Sequence, residues 1–104
     1  MSIFPKVIRR GKRKLVTLHM HLENMGEKDI NGQIFFNIID PCNINKVIKD
    51  KIKLKGLSKI NKYYKYPVEE NAPVGRYYVD GKFRFGREEV QSETHKNDFF
   101  DVAG

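Results

Sequence analysis

The chain predicts an all-β fold, an antiparallel β-sandwich of about seven to eight short strands, and three observations carry the prediction. Apolar and polar residues alternate with period two in several runs, of which Leu15–Glu23 is the cleanest. Clusters of Asn, Asp, Gly and Pro punctuate those runs at short intervals. No stretch carries a convincing helical period.

Taken in order, Ile3–Arg9 reads as the first strand, and Pro5 confines it to an edge or a strand start because proline donates nothing to a ladder. Gly11 then turns the chain. In Leu15–Glu23, Val16, Leu18, Met20 and Leu22 alternate with Thr17, His19, His21 and Glu23, so one face is core and the other meets water. Asn24–Asp29 supplies a turn, since Asn and Gly tolerate positive φ. Ile30–Ile39 should put Ile34, Phe36 and Ile38 inside, and Asp40-Pro41 ends it, because proline restricts the residue before it.

Val47–Leu57 alternates again, with Ile48, Ile52 and Leu54 on one side and Lys49, Lys51, Lys53 and Lys55 on the other. A lysine-lined strand guards a sheet edge against pairing with another chain. Ser58–Val68 holds Ile60, Tyr64 and Tyr66, and Asn71–Gly75 makes a corner. Tyr77 and Val79 face the core from Arg76–Asp80, Asp80-Gly81 begins a turn, and Phe83 and Phe85 lie on the strand after it. Phe99, Phe100 and Val102 close the sheet.

The 104 residues fit one domain, 1–104, with residues 1–2 and 103–104 as flexible ends. At this length folding buries only about two-thirds of the surface that the unfolded chain exposes, so the core is thin. Hydrophobic residues make up 39% and charged residues 32%, which is too apolar for a disordered segment. No apolar run approaches the roughly 18 residues of a membrane-spanning helix, so no membrane insertion is expected.

A single cysteine, Cys42, cannot form an intramolecular disulfide, and stability must come from packing. Met1–Lys14 carries Lys6, Arg9 and Arg10 without the apolar stretch of a secretion signal after them. The expected location is therefore the cytoplasm, or the cell surface if the chain is one domain of a longer exported protein.

The net charge of +7 is unevenly spread. Lys6, Arg9, Arg10, Lys12, Arg13 and Lys14 fall together with no acid among them, and a second basic stretch runs from Lys46 to Lys65, countered by Asp50. Acids collect near the end as Glu88, Glu89, Glu93, Asp98 and Asp101. Arg9, Arg10, Lys12, Arg13 and Lys14, with Lys49, Lys51, Lys53 and Lys55, form a candidate polyanion face, and Lys62-Tyr63-Tyr64-Lys65-Tyr66 adds rings that a base would stack on. Against this, alternation sends about half of those tyrosines inward, and no nucleic-acid-binding consensus is present.

Other chemistry is sparsely provided. His19 and His21 share one strand face and would hold Zn²⁺ or Cu²⁺ only with a third ligand on the neighbouring strand; His95 and Cys42 lie in separate turns, and no ligand spacing gathers them. A solvated polar face is the plainer reading. Ser2, Ser58 and Ser92 sit in no nucleophile turn, and Glu69-Glu70 and Glu88-Glu89 point to opposite strand faces, so no catalytic residues and no cofactor are expected. Glu88, Glu93, Asn97, Asp98 and Asp101 offer oxygen ligands for Ca²⁺ but lack the loop that fixes its geometry.

Asn24-Met25-Gly26 after the second strand, Pro41 ending the third, Ala72–Asp80 (A-P-V-G-R-Y-Y-V-D) and Ser92–Asp98 before the last strand resemble the CARDB-type immunoglobulin-like domains of bacteria and archaea, and the related domain that accompanies carbohydrate-binding modules in some glycosidases. The chain departs from that pattern in its basic first strand, its lysine-rich fourth strand and Asp98 where a second Asn is common. The resemblance implies a fibronectin-like sandwich acting as a non-catalytic spacer, adhesion or interaction module.

The expected function is thus a non-enzymatic structural or protein-interaction and adhesion module that touches an unidentified protein or an anionic polymer through sheet edges and basic strand faces, with self-association through edge strands as a further expectation. Two alternatives stand beside it. One is a nucleic-acid or polyanion binder, and the other an accessory carbohydrate-binding domain stacking Tyr63, Tyr78 or Phe35 on sugar rings, against which the absence of tryptophan counts.

Overall fold

The structure, a computed structural model, describes residues 1–87 and 90–104, and of residues 87 and 90–96 it describes the backbone alone. Eight strands follow one another: β1 (Ser2–Phe4), β2 (Val7–Arg9), β3 (Lys14–Asn24), β4 (Ile30–Ile39), β5 (Asn45–Leu54), β6 (Ser58–Val68), β7 (Gly75–Arg87) and β8 (Val90–Ala103). They form a three-stranded sheet in the order β1-β3-β6 and a five-stranded sheet in the order β2-β8-β7-β4-β5. No helix occurs among the described residues, and none is long and apolar enough to cross a membrane.

The two sheets share one core. Ile3, Val16, Leu18, Met20, Tyr66 and Val68 come from the smaller sheet and meet Ile8, Ile34, Phe36, Ile38, Val79 and Phe100 from the larger. Each set obeys the period-two rule, since residues i and i+2 of a strand face the same way. The expected inward positions Val16, Leu18, Met20, Ile34, Phe36, Ile38, Tyr77 and Val79 are all buried, and Leu22 is partly buried.

Four expectations are corrected. The first strand is two strands, because Pro5 interrupts the ladder: β1 pairs antiparallel with β3, and after the cis Phe4–Pro5 bond β2 joins the other sheet. That second pairing is parallel, with Val7 opposite Asp101, so the sandwich is not purely antiparallel. Strand β5 stops at Leu54, and Lys55 lies in the connection to β6, where Leu57 takes a left-handed φ of 56° and donates its N–H to Gly26.

The fourth correction concerns Asp80-Gly81, which begins no turn. Gly81 sits buried in the middle of β7 opposite Phe36, where a Cβ would lie 3.2 Å from both Met20 Cε and Phe36 Cε1. The glycine serves close packing between the sheets rather than a change of direction. Strand β7 therefore runs unbroken from Gly75 to Arg87, and its antiparallel partner β8 begins at Val90, so that Ser92–Asp98 with His95, expected as a polar turn before the last strand, runs as ladder backbone. Phe99 faces outward, half-exposed, while Phe100 and Val102 turn in. Ser2 is paired with His19, and Ala103 with Arg9.

The expected turn at Asn24–Asp29 is pinned by a buried side chain. Asn24 Nδ2 donates to the carbonyls of Lys28 (2.8 Å) and Leu54 (3.1 Å), and its Oδ1 accepts from the Gly26 N–H at 3.0 Å. Three satisfied bonds explain how a polar side chain rests in a thin core.

Candidate interaction surface

Because β7 is continuous, its outward side chains form one line. Tyr77, Val79, Gly81 and Phe83 point in, so Arg76, Tyr78, Asp80, Lys82 and Arg84 point out. Register carries the same face across β4 and β5: Tyr78 lies opposite Ile39, Lys82 opposite Phe35, Phe35 opposite Lys49, and Gln33 between Arg84 and Lys51. The outer face of the five-stranded sheet is thereby both aromatic and basic.

Phe35 is the centre of the basic half. Lys49 Nζ lies 5.9 Å from its ring centroid, Lys82 Nζ 5.5 Å and the Arg84 guanidinium carbon 5.5 Å. Three cations within about 6 Å of one ring are each attracted by its π-face. Lys51 stands beside them on β5, while Lys53 pairs with Asp29 at 3.5 Å. Four residues further along the sheet, Tyr78 is 57% exposed and flanked by Ile39 and Phe99. The Arg76 guanidinium covers the Phe99 ring at 3.8 Å and is gripped by Asp101 at 2.9 Å.

The two basic stretches of the sequence do not merge. Lys49, Lys51 and Lys53 lie on β5, at one edge of the five-stranded sheet, whereas Arg9 ends β2 at the opposite edge. Arg9 pairs with Ala103, one residue past the partner of Gly75, whereas Lys49 is level with Lys82. That is about eight residues along the strands, roughly 26 Å at a rise of 3.3 Å. Arg10 donates to the Ala72 carbonyl at 3.3 Å and Arg13 pairs with Glu69 at 3.1 Å, so part of the first stretch braces the corner after β6. Lys12 and Lys14 are exposed beside them.

The histidines occupy the outer face of the other sheet. Asn61, opposite His21 on β6, accepts from His19 Nε2–H at 2.8 Å and from His21 Nδ1–H at 2.9 Å. With that tautomer, assigned from the bonds, His19 Nδ1 accepts from the Ser2 hydroxyl at 3.0 Å. His21 Nε2 meets Glu23 at 3.0 Å, and Glu23 first and Asn61 second raise the His21 pKa above its ordinary value. His19 stacks on Tyr63, 4.7 Å between centroids. An amide stands where a third metal ligand was required, and among the described residues no group of three or more His, Cys, Asp and Glu gathers to hold a metal ion.

Among the described residues, the acids considered for Ca²⁺ are not brought together. Asp98 pairs with Lys6 and Asp101 with Arg76, from positions of opposite parity on β8. Glu88 and Glu89 lie outside the described residues, as do the side chains of Glu93 and His95. Cys42 is exposed in the 40–44 turn, where Asp40 accepts from the Cys42 and Ile44 N–H groups.

Sequence reasoning singled out Lys49, Lys51, Phe35 and Tyr78 in separate roles but missed Arg76, Lys82 and Arg84. The alternation of Gly75–Phe85 contained them, and reading Gly81 as a turn broke that alternation in two. No family model matches the chain, and no curated protein matches it.

Proposed function

We propose that the protein is a non-enzymatic interaction module of immunoglobulin-like type that holds an anionic partner on the outer face of its five-stranded sheet. The observation that supports this most is the clustering of Lys49, Lys82 and Arg84 around the Phe35 ring, with Lys51 alongside. Partners are held there by charge and by contact with exposed rings. The CARDB-like turn motifs agree with a binding role, since such domains serve as spacers and contact modules rather than as catalysts.

Binding dominated by phosphate or carboxylate neutralisation weakens steeply with salt. The test is affinity for polyglutamate, polyphosphate and an oligonucleotide, each measured across a salt series. At least one is expected to bind, and Lys49→Glu with Lys51→Glu to weaken it more than Lys12→Glu with Lys14→Glu, a pair carrying the same charge change at a distant corner. Absent binding, or equal losses in the two pairs, contradicts the proposal.

A further inference from the structure

We infer that the anionic partner is a single-stranded nucleic acid, with Tyr78 as a base-stacking platform and Lys49 and Lys51 on the phosphates. The inference rests on the proposed function and names the chemistry of its ligand. Its starting point is what the middle of the sheet withholds. Strands β4 and β7 are paired on both sides, β4 with β5 and β7 and β7 with β4 and β8. Their backbone N–H and C=O groups are consumed in ladders, so a peptide cannot be held on this face by strand addition, which needs an open edge.

What the face does offer is ring surface and positive charge. Tyr78 is 57% exposed, with Phe99 beside it under the planar Arg76 guanidinium. Phe35 lies four residues along β4 from Ile39, the partner of Tyr78, roughly 13 Å away. Bases have two flat π-faces and stack on tyrosine or on an arginine plane, whereas carboxylate side chains do neither. Lys49 flanks this line at the level of Phe35, and Lys51 lies one outward position beyond. Duplex bases are already stacked on each other and present no free face, so the ring surface selects a single strand. The span between Tyr78 and Lys51 suits a run of about four nucleotides.

The test uses the whole chain with a labelled oligodeoxythymidine about twelve nucleotides long, a duplex of the same length, and polyglutamate of matched charge. The oligodeoxythymidine is expected to bind tightest. Tyr78→Ala should weaken it about 5- to 100-fold. Tyr78→Phe, which keeps the ring, should restore most of the affinity, and polyglutamate binding should be unmoved by either change. If polyglutamate or the duplex binds as tightly, or Tyr78→Ala leaves the oligodeoxythymidine unaffected, the nucleic-acid inference is overturned while the anionic-partner reading stands. Loss of all three ligands from the wild-type chain overturns both.

Discussion

Gly32 shows how little room the core has. It lies on the inner side of β4, and a Cβ there would overlap the Phe83 ring and come 2.9 Å from the Arg84 carbonyl oxygen. The ring of Phe83 rests on the bare backbone, and a methyl group would have to displace both it and β7. Gly32→Ala is expected to destabilise the protein by about 1–3 kcal/mol, the usual cost of overpacking a tight core. Urea unfolding followed by circular dichroism measures it, and an unchanged midpoint would show that the Phe83 ring has space to move. Nothing in the sequence flagged this glycine, because a glycine inside an alternating run looks the same whether or not a neighbour lies against it. Asn24 was similarly opaque: its place in the turn was legible, but its three bonds join residues up to 30 positions apart.

At the scale of elements, β5 and β6 are joined across the open side of the sandwich. Tyr64 donates its hydroxyl to Asp50 at 2.6 Å, and Lys62 approaches the same carboxylate at 3.9 Å. This tyrosine belongs to the three-stranded sheet and the aspartate to the five-stranded one, so the bond ties the sheets together. Burial first, and then the bond to Asp50, raise the Tyr64 pKa well above its ordinary value of 10. A raised folded-state pKa means that the contribution is fully present below pH 10 and is lost as pH climbs toward the folded value, because the unfolded chain ionises first. Tyr64→Phe is expected to cost about 1.5–3 kcal/mol at neutral pH, the range for a hydrogen bond to a charged group. The gap from wild type should narrow above pH 10 in denaturant melts. A constant gap would remove the phenol's titration from the account. The lysines of β5 and of β6 (Lys59, Lys62 and Lys65) also place like charges on both of these edges, which opposes self-pairing there.

For the molecule as a whole, the two-sheet plan was legible because its determinants are local. The alternation in β3, β4 and β5 and the Pro- and Asn-rich turns lie within single segments, and seven of the eight strands fall in or beside the predicted runs, whereas the first half of β8 occupies the stretch expected as a polar turn. What was not legible depends on pairing between distant segments. The sequence cannot say that β2 leaves β1 for the other sheet, or that β7 and β5 flank β4 so that Lys82 and Lys49 close on Phe35 from two sides. Charge clusters in sequence were a poor guide for the same reason. Arg9–Lys14 is the densest basic run, yet it lies diagonally across the sheet from the cations that converge on a ring.

Docking of an anionic partner on the outer face of the five-stranded sheet is read out residue by residue by amide chemical-shift mapping as the tightest-binding polyanion is titrated in. Shifts should concentrate at residues 33–37, 47–51 and 76–84, with 9–14 and the histidine face of the other sheet unmoved. Shifts centred on 9–14, or spread evenly over every lysine, would contradict it.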